Sequence, residues 1–148
     1  MTAKPSTYPV TKARLYSILA ATEGLEGLVH YGEPSGMPVE FVAVLSTPID
    51  SDEQWASLGG EHREERYEIE LAVGAATKGN TQQQATERCE DLWELVTVAL
   101  RGWPRGDQTA ATAGVFAAQI VRTRRVERII PEGRAAGTTG AIQVQARI

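Results

Sequence analysis

The strongest periodic pattern in the chain is an apolar stripe at helical spacing across residues 81–101. It consists of Ala85, Cys89, Leu92, Val96 and Ala99. Asn80 or Thr81 can cap the start, with Gln83 or Gln84 completing a capping box. Gly102 and Pro104 follow and stop it. The pattern predicts a helix over about 81–101.

A second helix is predicted near the N-terminus, over about residues 9–22. Pro9 suits a first helical turn, and the residues at i, i+3, i+4 and i+7 spacing are Leu15, Ile18, Leu19 and Thr22. Gly24 and Gly27 end it.

Strict alternation replaces the helical period over about residues 64–73. Tyr67, Ile69, Leu71 and Val73 fall on one face, and Arg66, Glu68 and Glu70 fall on the other. This predicts a strand with one buried face and one polar face that meets solvent or a neighbouring subunit. A turn is expected over residues 74–79, and shorter β-prone runs predict strands at about 28–31 and 39–45.

The C-terminal third contains a long β-prone run at about 114–130 and an alternating run at about 140–148. At about 3.3 Å per residue the first run reaches roughly 55 Å, which exceeds what a sheet of this size is expected to pair. Its distal part is therefore predicted to bend or to project as an arm.

Together these elements predict one α+β domain over residues 1–148. We expect a mostly antiparallel sheet of about five strands, two helices on one face, a long β-hairpin arm and extended loops. The loops are residues 46–62, 103–113 and 131–140. Loops longer than about 12–15 residues, as residues 46–62 are, tend to be functional.

The charge is unevenly distributed along the chain, although its net value is only −4. Residues 1–100 carry 7 basic and 16 acidic side chains, whereas residues 101–148 carry 8 basic and 3 acidic ones. Such a division allows the acidic part of one copy to meet the basic part of another, and ordinary surface scatter is the open alternative.

Signatures of catalysis are missing from the sequence. The glycines form neither GxGxxG nor GxxxxGK[ST], GxSxG does not occur, and His62 does not belong to an HExxH motif. The single cysteine, Cys89, lies on the apolar stripe and is expected in the core. We therefore expect no enzyme, no cofactor, no metal site and no membrane association.

Two groups of residues are candidates for contact with a partner. Trp55 and Leu58 lie in a segment without clear periodicity, and either pack back on the core or anchor a partner. The basic cluster comprises Arg122, Arg124, Arg125 and Arg128. Acidic protein surfaces are the favoured contact for this cluster and nucleic acid the alternative, because Phe116 is the only aromatic residue after Ala110.

The order of these elements resembles the tail-terminator (tail-completion) proteins of long-tailed bacteriophages. The resemblance covers the whole chain and is concentrated in residues 55–71, which contain the runs WASLG and REERYEIEL, and in the following helix. Matching helix positions are Ala85, Arg88, Leu92 and Leu95. The family is defined by fold, so no site residue is carried over.

The resemblance implies a structural virion protein at the head–tail junction, assembled in the bacterial cytoplasm. Such proteins form a hexameric ring on the tail tube, stop its polymerisation, and dock the head-completion or neck protein, while DNA passes through the central channel. Glu68 and Glu70 would then face the channel or a subunit. A head-side connector or neck adaptor, and a small nucleic-acid-binding protein, remain alternatives.

Overall fold

The computed structural model describes residues 6–35, 38–45, 52–55, 63–78, 81–105, 107, 114–131 and 133–147. Two helices and six strands are present in this part of the chain. They are α1 (Tyr8–Ala20), β1 (Val29–Tyr31), β2 (Glu40–Leu45), β3 (Asp52–Trp55), β4 (Arg63–Lys78), α2 (Gln82–Leu100), β5 (Val115–Ile130) and β6 (Gly133–Arg147).

All strands belong to one sheet, in the order β1-β2-β4-β6-β5. Strand β3 also pairs with β4, at residues 63–66, while β2 pairs with residues 70–75. Every pairing is antiparallel except that of β1 with β2. The predicted α+β class, with a mostly antiparallel sheet, is confirmed.

Both helices pack on the same face of the sheet, which we call the helix-covered face. Helix α2 packs against β4 and β6, and α1 packs mainly against β1, β2 and α2. The most completely buried apolar side chains include Leu15, Leu19, Ile69, Leu71, Leu92, Val96 and Val144. Helix α2 approaches β6 so closely at Gly140 that a Cβ atom there would lie 2.8 Å from the Trp93 ring. The alternation over residues 66–73 therefore predicted the buried face correctly.

Three sequence expectations about strand extent are wrong. Strand β4 does not end before a turn at residues 74–79 but continues to Lys78, and β6 begins at Gly133 rather than near 140. Small residues suggested turns in both segments. Here they form a continuous ladder from Leu71 opposite Gly140 to Lys78 opposite Gly133, because pairing on both sides of a central strand outweighs the low intrinsic strand preference of glycine and alanine. Strand β3, in a segment expected to lack regular structure, was also missed.

The extended β6 provides a partner for the whole β5 run. Pairing extends from Val115 opposite Ala146 to Ile130 opposite Gly133, interrupted by irregularities after Val115 and after Val121. The expectation that the sheet cannot pair all of this run is therefore wrong. Strand β5 forms one edge of the sheet, and no described strand pairs with its outer side.

Candidate interaction surfaces

The face opposite the helices, which we call the open face, carries a polar zone at one end. Strand β4 contributes Glu64, Arg66, Glu68 and Glu70, and the facing β6 residues include Gln143, Gln145 and Arg147. Glu68 and Glu70 are half-buried there, on the polar face that the alternation predicted. Their carboxylates are placed to meet another molecule or solvent, but not the core.

Arg122 reaches this polar zone from the edge strand and forms an ion pair with Glu68. It lies at the irregularity between Val121 and Arg124, and has a positive φ of 52°. A bulge at this position shifts the alternation of β5 by one residue. Before it, Ile120 packs against the core; after it, Arg125 and Glu127 are on the helix side.

Arg125 is held against helix α2 by Glu90, to whose two carboxylate oxygens its Nε and Nη2 donate. Beside it, the Thr86 hydroxyl donates a hydrogen bond of 2.8 Å to Glu127. Two of the four clustered arginines, Arg122 and Arg125, are thus neutralised by acidic residues of the same chain.

Arg124 and Arg128 differ from the other two arginines of the cluster. Both side chains are exposed, and neither has an ion pair with any residue that the structure describes. They flank Val126 on the open face. Within the cluster, the positive charge that is available to a partner is therefore that of Arg124 and Arg128.

An apolar groove of about 470 Å³ occupies the end of the open face beyond the polar zone. Its floor consists of small residues of β4 and β6, including Gly74 and its register partner Gly137. Phe41 forms one side, with its ring directly over Gly74, while Val126 and Ile130 form the other. The groove is wide because glycine and alanine lie between two rows of larger side chains.

The sequence analysis missed this groove although the pattern was present. Ala72, Gly74 and Ala76 recur at strand spacing on β4, and Ala135 and Gly137 do so on β6. Small residues at every second position indicate a strand that leaves a depression on one face of the sheet. The sequence analysis instead predicts a turn over residues 74–79 and a loop over residues 131–140.

A buried acidic residue on the helix-covered face was also missed. The Glu65 carboxylate accepts hydrogen bonds from the Thr7 backbone N–H at 2.9 Å and from the Thr7 hydroxyl at 2.8 Å. The Tyr67 hydroxyl lies 2.9 Å from the same Thr7 oxygen. Glu65 therefore caps the N-terminus of α1 from a distant strand, where a negative charge is favourable. Glu65 lies two residues before Tyr67 and four before Ile69, so it shares their buried face of the strand, and this spacing is the sequence signal that could have revealed it.

Three further residues singled out in the sequence analysis are Trp55, Leu58 and Cys89. Trp55 ends β3 opposite Arg63, but its side chain and all of Leu58 lie outside the described residues. Cys89 lies in the core, as predicted, and burial raises the pKa of its thiol.

Within the described part of the chain, no three His, Cys, Asp or Glu side chains are arranged to hold a metal ion. None of the described helices is long and apolar enough to cross a membrane. No family model matches the chain, and no curated protein matches it either.

Proposed function

We propose that this chain is a structural virion protein that forms a ring on the head-proximal end of a phage tail tube. The ring stops tube polymerisation and offers a docking surface to the head-completion or neck protein. The proposal starts from the resemblance carried by residues 55–71 and the helix after them. The observation that supports it best is the form of the edge strand β5.

Strand β5 has sixteen residues at the edge of the sheet, and no described strand pairs with its outer side. Its first part, residues 115–121, carries no charged side chain, and Phe116 is 46% exposed. Proteins normally protect such edges with charge, proline or short length. An unprotected edge of this kind suits addition of a strand from another molecule.

The charge distribution supports self-association in one direction. Arg124 and Arg128 remain unneutralised among the described residues, whereas residues 1–100 have nine more acidic than basic side chains. A contact between unlike surfaces of identical copies is heterologous, and it closes into a ring when the rotation between copies permits. Glu70 is available for a subunit contact or for the wall of a channel that passes DNA, and Glu68 would face the same side with its carboxylate paired to Arg122.

The alternative of nucleic-acid binding is weakened by the internal ion pairs. Arg122 and Arg125 are each paired with a carboxylate of the same chain, so only half of the basic cluster is available to phosphate. The head-side connector differs from the tail terminator in its partner, and identification of that partner separates the two.

The proposal is tested with the purified protein and the tube protein of the same phage. We expect light scattering to detect a ring of six 16.0 kDa chains, about 96 kDa, alone or once tube protein is present. Electron microscopy should show the ring at one end of the tube, and tubes should become shorter as more of the protein is added.

A strictly monomeric protein that neither binds the tube nor limits its length would overturn the proposal. Capture of portal or adaptor protein in place of tube protein would instead identify a head-side connector. Retention on duplex DNA that is lost with Arg124→Glu and Arg128→Glu, without any ring, would favour the nucleic-acid alternative.

A further inference from the structure

The groove on the open face has the shape of a binding site for apolar side chains. A Cβ atom added at Gly137 would meet only the Val73 carbonyl oxygen, at 3.7 Å, which is ordinary contact. The space above the floor is therefore open, and its sides are the apolar side chains of Phe41, Val126 and Ile130. A ligand with bulky apolar groups would bury this surface.

The charges at the groove favour an acidic ligand. Arg128 lines it on the β5 side, and Arg124 lies two residues from Val126 on the same face. Glu33 is the one acidic residue of the lining, next to Pro34 and away from β5. Carboxylates of a ligand are therefore expected along β5, where two exposed guanidinium groups would meet them.

The chain itself contains a segment with this chemistry. Residues 50–62, which we call the acidic hairpin segment, include four carboxylates, no lysine or arginine, and the apolar residues Trp55 and Leu58. The segment contains β3 and the seven residues that connect it to β4. Its composition complements both the apolar side chains and the arginines of the groove.

The apolar residues of this segment cannot reach the groove floor of their own copy. Strand β4 begins at Arg63, and Gly74 in the groove floor is eleven residues further along, or about 36 Å at strand spacing. Trp55 is the register partner of Arg63 and so lies at that end of β4, and Leu58 is only three residues further along the chain. Trp55 and the groove floor therefore lie at opposite ends of β4, whereas Asp50 is only five residues from Leu45, which lines the groove.

We infer that the groove of one copy binds the acidic hairpin segment of the next copy. Since two different surfaces of the chain meet, the contact is heterologous and repeats from copy to copy. The inference rests on the proposed ring and assigns one of its subunit contacts. Trp55 and Leu58 supply the apolar groups, and the carboxylates meet Arg124 and Arg128.

The first test measures binding of a fluorescent peptide of residues 50–62 by anisotropy. The full-length protein is used in a form whose own residues 56–62 are replaced by Asn-Gly, a two-residue turn suited to joining Trp55 and Arg63. We expect saturable binding that weakens as salt increases. A scrambled peptide of the same composition is the control, and equal binding of both peptides would overturn the inference.

Two pairs of variants locate the peptide. Gly137→Leu fills the groove, and Gln143→Leu places the same side chain on the same strand and face but in the polar zone. The double variant Arg124→Glu/Arg128→Glu reverses the groove charges, and Arg101→Glu/Arg105→Glu reverses two exposed arginines elsewhere. The groove variants should weaken binding about tenfold or more, and the controls less than about twofold.

A mixing experiment tests the contact between whole chains. The Gly137→Leu protein retains its acidic hairpin segment but not an open groove. The Asn-Gly protein retains its groove but has lost Leu58 and Glu61 of the segment, so each variant keeps one complete half of the contact. Neither should form rings alone, whereas a mixture should form dimers with one copy of each. Circular dichroism confirms that both variants are folded.

The outcomes separate this inference from the proposed function. Rings that persist in both variants, together with a peptide that does not bind, would overturn the inference and leave the ring proposal standing. A wild-type chain that stays monomeric with tube protein present would overturn the ring. Wild-type chains that associate through the groove but form no ring on the tube would leave this contact standing, whereas a strictly monomeric wild-type chain would overturn the contact as well.

Discussion

The two faces of the sheet are formed by the same strands but have opposite characters. On the helix-covered face, large apolar side chains such as Leu71 and Ile142 are almost entirely buried by α1 and α2. On the open face, the same strands present small residues and charges, as at Gly74 and Glu68. The buried apolar side chains that stabilise the fold are thus concentrated on the helix-covered face. Residues of the open face can therefore suit a binding partner with little loss of stability.

The two faces should differ most in how much free energy of unfolding is lost when a side chain is truncated, and two adjacent residues of β4 test this. Leu71→Ala on the helix-covered face should lower the free energy of unfolding by about 3 kcal/mol, because it leaves a cavity in a fully buried site. Glu70→Ala, on the open face, should change it by less than about 0.5 kcal/mol. Urea denaturation followed by circular dichroism measures both. Similar losses in the two variants would mean that the open face is also covered.

This contrast also explains how much of the fold was predictable. Residues 66–73 alternate between large apolar and charged side chains, so both their strand and its buried face followed from the pattern. Residues 133–139 contain mainly glycine, alanine and threonine, which have no comparable local signal. Their strand forms because β4 and β5 pair with it on both sides, and such long-range pairing has no signature in a local window.

The candidate surfaces were predictable to a similar, partial extent. The basic cluster was recognised, but its division could not be: the bulge after Val121 turns Arg125 towards Glu90, while Arg124 and Arg128 stay exposed. That division depends on a one-residue shift in strand register. The groove was missed because its floor is made of the residues that suggested turns.

Glu65 is the exception to the apolar character of the helix-covered face. Glu65→Ala should lower the free energy of unfolding by about 2 kcal/mol, because it removes the acceptor for the Thr7 N–H and hydroxyl and leaves them buried. The matched change Glu64→Ala, on the open face, should have an effect below about 0.5 kcal/mol. Hydrogen exchange of the first turn of α1 should increase in the Glu65 variant alone. Unchanged exchange there would show that Thr7 does not depend on this carboxylate.

Two glycines of the groove floor, Gly74 and Gly137, should differ in how much stability an alanine substitution costs, and the difference is smaller than those above. Gly74→Ala would place a Cβ atom 2.2 Å from the Phe41 ring, and the ring must move, at a cost of about 1–2 kcal/mol. Gly137→Ala, directly opposite, meets no such neighbour and should be neutral or stabilising by up to about 0.5 kcal/mol. Thermal unfolding measures the difference. Adding Phe41→Leu to Gly74→Ala should recover part of the loss, and no recovery would contradict the proposed clash.

The smallest expected effect is a pH dependence of stability, which arises from an ion pair at the margin of the helix-covered face. Arg88 on α2 donates to both carboxylate oxygens of Glu40 on β2, at 2.7 and 3.1 Å, and this hydrogen bonding lowers the pKa of Glu40. A carboxylate whose pKa is lower in the folded state stabilises the fold above its unfolded value, and that contribution is lost as the pH falls through the folded value. Wild type should therefore lose stability relative to Glu40→Gln as the pH falls below about 4, and the two should run parallel above about 6. Urea midpoints measured across this range test the assignment, with Glu94→Gln on the exposed side of α2 as the control. Parallel curves for wild type and Glu40→Gln at every pH would show that the ion pair joining α2 to β2 adds nothing to stability.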